Sequence, residues 1–208
     1  MPSFNLIHRA RPPAASAPTP YPAVVMVHGW LGSEQSMWTF QTIVARHALV
    51  ISMRAPFTVE GGYGWKLSDS DGSFDEGLAA LREFVSRLPS EYPVDQNRIV
   101  LMGFSQGAAM SYALALSQPE MTGAVAALAG YLPDPARQWV SPNRLAGKRV
   151  FIAHGLIDKM VPVAEAASAR DAMLACGAQV TYSEYPIGHK LNAQGMKDLR
   201  AWLADITG

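Results

Sequence analysis

Arg98-Ile99-Val100-Leu101-Met102-Gly103-Phe104-Ser105-Gln106-Gly107 is the stretch whose reading decides the fold. Its first five residues form a short apolar run with strand character. Ala108 to Leu116 follow as Ala-Ala-Met-Ser-Tyr-Ala-Leu-Ala-Leu, which reads as a helix. A G-x-S-x-G pattern between strand and helix describes a sharp turn that lifts the serine hydroxyl above the end of a sheet. Side chains two positions either side of that serine would collide, and Gly103 and Gly107 have no Cβ to collide. Ser105 is therefore a candidate nucleophile with the Gln106 N–H beside it. The alternative is a helix-capping serine in an ordinary strand-to-helix turn.

Working outward, Phe4 to Arg9 reads as a short edge strand, and residues 11–22, with five prolines, as an extended connector. Ala23-Val24-Val25-Met26-Val27 has the continuous apolar character of a strand buried on both faces, and it ends in His28-Gly29-Trp30-Leu31-Gly32. Met37, Phe40 and Val44 recur at helical spacing, predicting an amphipathic helix over Glu34–Arg46. Leu49 to Met53 is the next strand. Residues 54–72 read as a long functional loop carrying Phe57, Tyr63 and Trp65 as candidate pocket aromatics. Ser73-Phe74-Asp75-Glu76 has capping-box spacing. Phe74, Leu78, Leu81, Val85 and Leu88 give the following helix its stripe, with Pro89 as its stop.

Beyond the elbow, strands are expected at Gly123–Ala129, Arg149–Ala153 and Val180–Tyr185, with a Pro-rich excursion over 131–147. One helix opens at Pro162 and closes at Gly177; the last carries Met196, Leu199, Leu203 and Ile206. Alternating strand and helix predict an α/β fold, with a mostly parallel central sheet and helices on both faces. Residues 23–208 are expected to form one domain behind the segment 1–22. His28-Gly29, Ser105 and His154-Gly155 all fall at carboxyl ends of strands, where such sheets place their active sites.

A chain of 208 residues can bury about 70% of its unfolded surface. Lys plus Arg and Asp plus Glu number 17 each, so no net field steers the protein toward nucleic acid or an anionic membrane. The expected partner is a small, weakly charged molecule; a homodimer is compatible with the composition. The single cysteine, Cys176, excludes an internal disulfide, fits a reducing compartment and reads as a small buried residue. No run approaches 18 apolar residues, and only Pro and Ala follow Arg9 and Arg11, so neither a membrane span nor a signal peptide is expected. A cytoplasmic protein is the default. The five histidines are scattered without metal-ligand spacing, and neither G-x-G-x-x-G nor a P-loop lysine motif occurs. No metal or cofactor is expected.

A serine hydroxyl needs a base within hydrogen-bonding reach, and the base needs a partner that fixes its tautomer. Two histidines follow Ser105. His189, in a loop between the last strand and last helix, is favoured as base over His154, which is better placed to brace a strand end. Asp158, four residues past His154, is favoured as the acid over Asp134 in the Pro-rich excursion. The second oxyanion donor, beside Gln106 N–H, should come from the turn after Val27, with Trp30 favoured and Leu31 next. Leu31, Phe57, Trp65 and Met160 are candidate pocket residues. Together these groups predict two-step acyl transfer through Ser105.

The segments His28-Gly29, Gly103-Phe104-Ser105-Gln106-Gly107, His154-Gly155-Leu156-Ile157-Asp158-Lys159-Met160-Val161-Pro162 and Gly188-His189 together resemble the phospholipase/carboxylesterase family. The resemblance runs from about residue 23 to 205 and implies a cap-less α/β-hydrolase fold. It also implies a triad of Ser105, Asp158 and His189, with oxyanion donors at Gln106 and the residue after His28-Gly29. The implied activity is hydrolysis of small to medium carboxylic esters, with long-chain acyl thioesterase or lysophospholipase activity as the alternative. A catalytically silent fold that binds a hydrophobic ligand is the third reading. The family often has a glycine soon after His-Gly, whereas here Trp30-Leu31 precede Gly32, a departure expected to narrow the acyl pocket. The Gly61-Gly62-Tyr63-Gly64-Trp65 loop looks like that of the carboxylesterase branch.

Overall fold

The computed structural model describes residues 4–68 and 71–208. Seven strands form one sheet: β1 (His8–Arg11), β2 (Tyr21–Val27), β3 (Leu49–Met53), β6 (Val94–Phe104), β7 (Ala124–Leu128), β8 (Arg149–Gly155) and β9 (Gln179–Tyr185). Their spatial order is β1-β3-β2-β6-β7-β8-β9. All neighbours are parallel except β1, which runs antiparallel to β3 at the edge. β4 (Phe57–Val59) and β5 (Gly62–Gly64) make a separate hairpin.

The apolar strands are buried on both faces, and alternate residues feed two cores. Val25, Val27, Ile99, Leu101, Val150 and Ile152 join one core, with residues of α1 (Ser73–Glu91), α2 (Gln106–Ser117) and α3 (Val163–Ala175). Val24, Met26, Val100, Met102 and Phe151 join the other, beneath α4 (Ala193–Thr207). Helices thus cover both faces, as the alternation predicts. Cys176 lies buried and unpaired just past α3.

Five local expectations need correction. The helix expected over Glu34–Arg46 is a short 3-10 turn, Trp38–Ile43. Ser33 and Ser36 hydroxyls take local backbone N–H groups into tight turns, and Thr39, Thr42, Ile43 and Val44 are β-branched, so a regular helix loses the competition. The loop of 54–72 contains the β4–β5 hairpin, whose tight turn uses Gly61 at φ 89°. The capping box does not form: Gly72 is the N-cap, and Ser73 Oγ instead accepts the Leu67 N–H at 2.8 Å. Pro89 does not stop α1 but sits in its last turn. It deletes one backbone donor, while Tyr92 N–H still reaches the Leu88 carbonyl at 2.9 Å. The edge strand begins at His8, because Phe4 leaves the sheet to stack on Phe84 at 4.3 Å between ring centroids.

One contact ties the loop to the core. A Cβ on Gly77 of α1 would fall 1.8 Å from the Trp65 carbonyl oxygen, so helix and loop backbones touch there. Gly77→Ala is therefore expected to destabilise the protein by about 2 kcal/mol or more, read as a lower urea midpoint at unchanged slope. An unchanged midpoint would contradict this close approach.

Candidate active site

β6 and α2 meet at Ser105 with a backbone conformation of φ 52°, ψ −118°. A Cβ on Gly103 would lie 2.3 Å from the Gly107 carbonyl oxygen, and one on Gly107 only 2.0 Å from that of Val27. Those two glycines are what allow the turn to close. The Ser105 N–H donates to the Leu128 carbonyl at 2.9 Å, and its own carbonyl accepts from Ala108 and Ala109. Gln106 N–H opens α2, where first-turn donors have no intrahelical acceptor.

Asp158 and His189 are brought together by a close approach of two loops. Leu156 N–H donates to the Tyr185 carbonyl at 2.8 Å and Ile157 N–H to that of Ile187 at 3.1 Å. A Cβ on Gly155 would stand 2.3 Å from both the Ile187 and Gly188 carbonyl oxygens, so only glycine permits this approach. Asp158 is consequently buried beside His189, its Oδ2 2.7 Å from His189 Nδ1. Its Oδ1 accepts the N–H groups of Met160 at 2.8 Å and Val161 at 3.0 Å. Burial works against the ionised form, but the Val161 N–H, the His189 ring and the Met160 N–H outweigh it and hold the carboxyl below its ordinary range. With its Nδ1 proton directed at Asp158, neutral His189 presents a lone pair on Nε2.

Ser105 and His189 line the same cleft of about 530 Å³, shared with Trp30, Leu31, Met160 and Phe104. The Phe104 ring leans on His189 at 5.0 Å between centroids. No direct hydrogen bond joins Ser105 Oγ to His189 among the described residues. Asp134, the alternative acid, is exposed and paired with Arg137 at 2.9 Å. His154 points into the protein interior rather than the cleft.

The turn after β2 runs Gly29-Trp30-Leu31-Gly32, closed by Gly32 N–H on the Gly29 carbonyl at 3.1 Å. Of its two central residues only Leu31 has positive φ, 62°, the backbone of a type II turn. Trp30 N–H has no protein acceptor among the described residues. Behind this turn lies a buried network. His28 Nδ1 donates to the Gly29 carbonyl at 2.7 Å, and Nε2 accepts Ala55 N–H at 3.0 Å. Glu34 and Arg54 form a two-pronged ion pair at 2.7 and 2.9 Å, and Arg54 also donates to Tyr63 Oη.

Two pocket expectations are corrected. Trp65 is wholly buried, and its Nε1 donates to the His28 carbonyl at 3.0 Å. Phe57 lies in β4, and neither residue lines the cleft. Leu31 and Met160 do line it. Sequence reading missed the Gln106 side chain, whose Oε1 accepts Trp65 N–H at 2.7 Å and whose Nε2 donates to the Lys66 carbonyl at 3.0 Å. It also missed Met37, Phe40 and Leu191 as cleft lining. The first two were expected on a core-facing helical stripe, while Leu191 stands two residues beyond His189 and could have been found from that position.

The phospholipase/carboxylesterase family model matches residues 14–207. The chain belongs to that family. The similar proteins include acyl-protein thioesterase 1 of Aspergillus fumigatus, 29% identical over 88% of this chain and 87% of the relative. Acyl-protein thioesterase 1 of Debaryomyces hansenii is 25% identical over 93% and 94%. Among solved structures, a Bacillus cereus carboxylesterase superposes with a TM-score of 0.86 at 24% identity, covering 97% of this chain and 95% of that one. A Mesorhizobium loti carboxylesterase gives 0.77 at 21% identity, over 93% and 98%. The fold is that of the α/β-hydrolases, and membership of the family makes the chain a serine ester hydrolase. Among the described residues no helix is long and apolar enough to cross a membrane.

Burial pushes the His28 imidazole below its ordinary 6.5, against the opposing influence of the Gly29 carbonyl and the Glu34 carboxylate. The unfolded chain therefore binds a proton here that the folded chain refuses, and stability is lost as pH falls below about 6.5. His28 is expected to stay neutral with the proton on Nδ1 at pH 6, visible in 15N–1H spectra of the ring. An ordinary titration midpoint would contradict the network.

Proposed function

We propose that this protein is a serine carboxylesterase that hydrolyses small to medium carboxylic esters through an acyl-enzyme on Ser105. The observation that carries the reading is the 2.7 Å Asp158–His189 contact at the mouth of a cleft that also holds Ser105 in its strained elbow. As substrate enters, His189 Nε2 takes the Ser105 Oγ proton while Oγ bonds to the ester carbonyl carbon. The oxyanion is received by the N–H groups of Gln106 and Trp30, each worth on the order of 3 kcal/mol in the barrier. The carbon–alkoxide bond breaks, and His189 returns its proton to the leaving alcohol. Water, deprotonated by the same nitrogen, then attacks the acyl-enzyme carbonyl, and Ser105 leaves with the proton. Asp158 stays ionised throughout and stabilises the imidazolium.

Size selection falls to exposed apolar side chains. Leu31 and Met160 stand at the cleft with Trp30, and Met160 is 76% exposed. Leu31 occupies a left-handed conformation that costs a non-glycine residue about 1 kcal/mol, a strain retained at a position bordering the substrate. Acyl thioesterase activity on longer chains is the second reading. It is favoured by the apolar lining of Trp30, Met37, Phe40 and Leu191, and by the relatives named acyl-protein thioesterase.

Two sets of variants test these roles. Ser105→Ala should lower kcat on a nitrophenyl ester by about 10⁴-fold or more and abolish phosphonate labelling. Asp158→Asn should cost about 10⁴-fold at unchanged fold; undiminished turnover in either variant ends the reading. Leu31→Gly should alter the preference across a series of nitrophenyl esters while changing stability by less than about 1 kcal/mol. A rate peak at butyrate or shorter acyl groups supports the carboxylesterase, whereas rates still rising at the palmitoyl thioester support the second reading.

A further inference from the structure

We propose that His154 is a positioning residue for the catalytic acid, a second imidazole that holds Asp158 and moderates its pull on the proton of His189. The proposal rests on the triad reading above and assigns to His154 a role distinct from both proton transfer and simple support of a strand end.

The geometry is a closed circuit. His154 is the penultimate residue of β8, and its side chain is fully enclosed. Its Nε2 lies 2.9 Å from the Val161 carbonyl oxygen, which can only accept, so Nε2 carries the proton. Val161 in turn donates its own N–H to Asp158 Oδ1 at 3.0 Å. The same His154 Nε2 stands 3.4 Å from Asp158 Oδ2, the oxygen that accepts from His189 Nδ1. Asp158 is therefore gripped at one oxygen through Val161 and approached at the other by the positive end of the His154 N–H dipole.

The other ring nitrogen fixes the charge state. His154 Nδ1 is buried and has no hydrogen-bond partner. An imidazolium would place an unpaired N–H there, and burying an unpaired donor of a charged group is expensive. A neutral ring leaves only a lone pair at Nδ1, so His154 acts as a dipole and not as a charge. A dipole pointing its positive end at Oδ2 competes with His189 for that oxygen. The result is an acid that orients His189 while its pull on the Nδ1 proton is moderated.

The remaining ionisable groups around His154 do not take over this task. Glu184 stands opposite it in register on β9, but its carboxylate is held by Tyr182 Oη at 2.6 Å. Glu165, in the first turn of α3 after Val161, lines a separate surface groove. Asp158 and His189 remain as the groups it can influence.

Three measurements decide it. His154→Leu removes the donor; His154→Gln retains an amide N–H that can reach the same acceptors. The leucine variant should lose roughly threefold to tenfold in kcat, the scale of one hydrogen bond, with KM little changed. The acidic limb of its kcat/KM profile should move upward by a few tenths of a pH unit, because an unmoderated Asp158 retains the His189 proton more strongly. The glutamine variant should restore both. A folded leucine variant with wild-type kcat and limb, a limb that moves down, or a glutamine variant no better than leucine overturns the proposal.

Should the leucine variant fail to fold, 15N–1H spectra of the unmodified protein decide instead. His154 is expected as the neutral Nε2–H tautomer, its proton signal shifting as His189 titrates. An Nδ1–H tautomer, or a signal indifferent to His189, overturns the proposal. If the wild-type protein neither turns over esters nor takes a phosphonate, the esterase reading has failed, and the spectra still test the coupling.

Discussion

Backbone pressed against backbone at the end of the sheet is the constraint on which the rest depends. Where Gly107 meets the Val27 carbonyl there is no room for a single carbon atom. That contact sets the start of α2 directly behind the turn after β2, so Ser105 and the Trp30 turn face one cleft. It also leaves Ser105 no ordinary conformation, a strain of about 1–3 kcal/mol that persists only when the surroundings over-determine it. The over-determination is visible along the carboxyl edge. Ser105, at φ 52°, ties its N–H to the last carbonyl of β7, and Ala129, at φ 47°, ties its own to Ala153 of β8. Leu156 repeats the pattern onto Tyr185 of β9. Each strand leaves the sheet by bonding to its neighbour, and the three exits deliver Ser105, the Pro-rich excursion and the acid loop from one rigid edge.

Behind this edge the polar groups are arranged so that little is left unpaired. Asp158 spends both oxygens on three donors, which is what makes a buried carboxylate tolerable. The Gln106 side chain holds the Trp65–Lys66 backbone just past β5, and the Trp65 indole ties the same residue to the His28 carbonyl. Arg54, paired with Glu34, also holds Tyr63 of β5. A chain with no net charge thus concentrates its fixed dipoles at the carboxyl edge of the sheet, and local electrostatic preorganisation of this kind needs no global field.

What the sequence made legible follows from how local each signal is. The elbow could be read because glycine, serine and glycine at fixed spacing report a backbone collision within five residues. The strands could be read because burial on two faces imposes unbroken apolar runs. Asp158 and His189 were accessible through order along the chain and position at strand ends. Trp65 was not: an aromatic in a glycine-rich loop looks like pocket lining, and only the 1.8 Å approach at Gly77, some twelve residues on, shows that the loop is drawn into the core. The helix expected after Glu34 failed for a related reason. Its apolar spacing was real, since Met37 and Val44 are buried, but serine hydroxyls and β-branched residues shifted the local backbone to a tighter turn. The Gln106 side chain is held by partners 40 and 41 residues away and the His28 Nε2 by one 27 residues away, so these contacts leave no trace in spacing.

The division between buried and exposed parts of the site explains why reaction class and substrate separate so cleanly. Asp158, His28, His154 and Gln106 are all buried, each fixed by hydrogen bonds to backbone that cannot move without opening the sheet edge. Changing one of them disturbs the contacts that hold the Asp158–His189 pair or the turn after β2. Trp30, Leu31 and Met160 are 45%, 48% and 76% exposed, and they line the cleft. Exposed apolar groups of this sort can be exchanged at little cost in stability, while a methylene gained or lost against an acyl chain is worth about 1–3 kcal/mol of discrimination. The residues that line the cleft most openly are thus the ones the core does not hold, and the strained Leu31 sits at the boundary: its backbone belongs to the rigid turn and its side chain to the cleft.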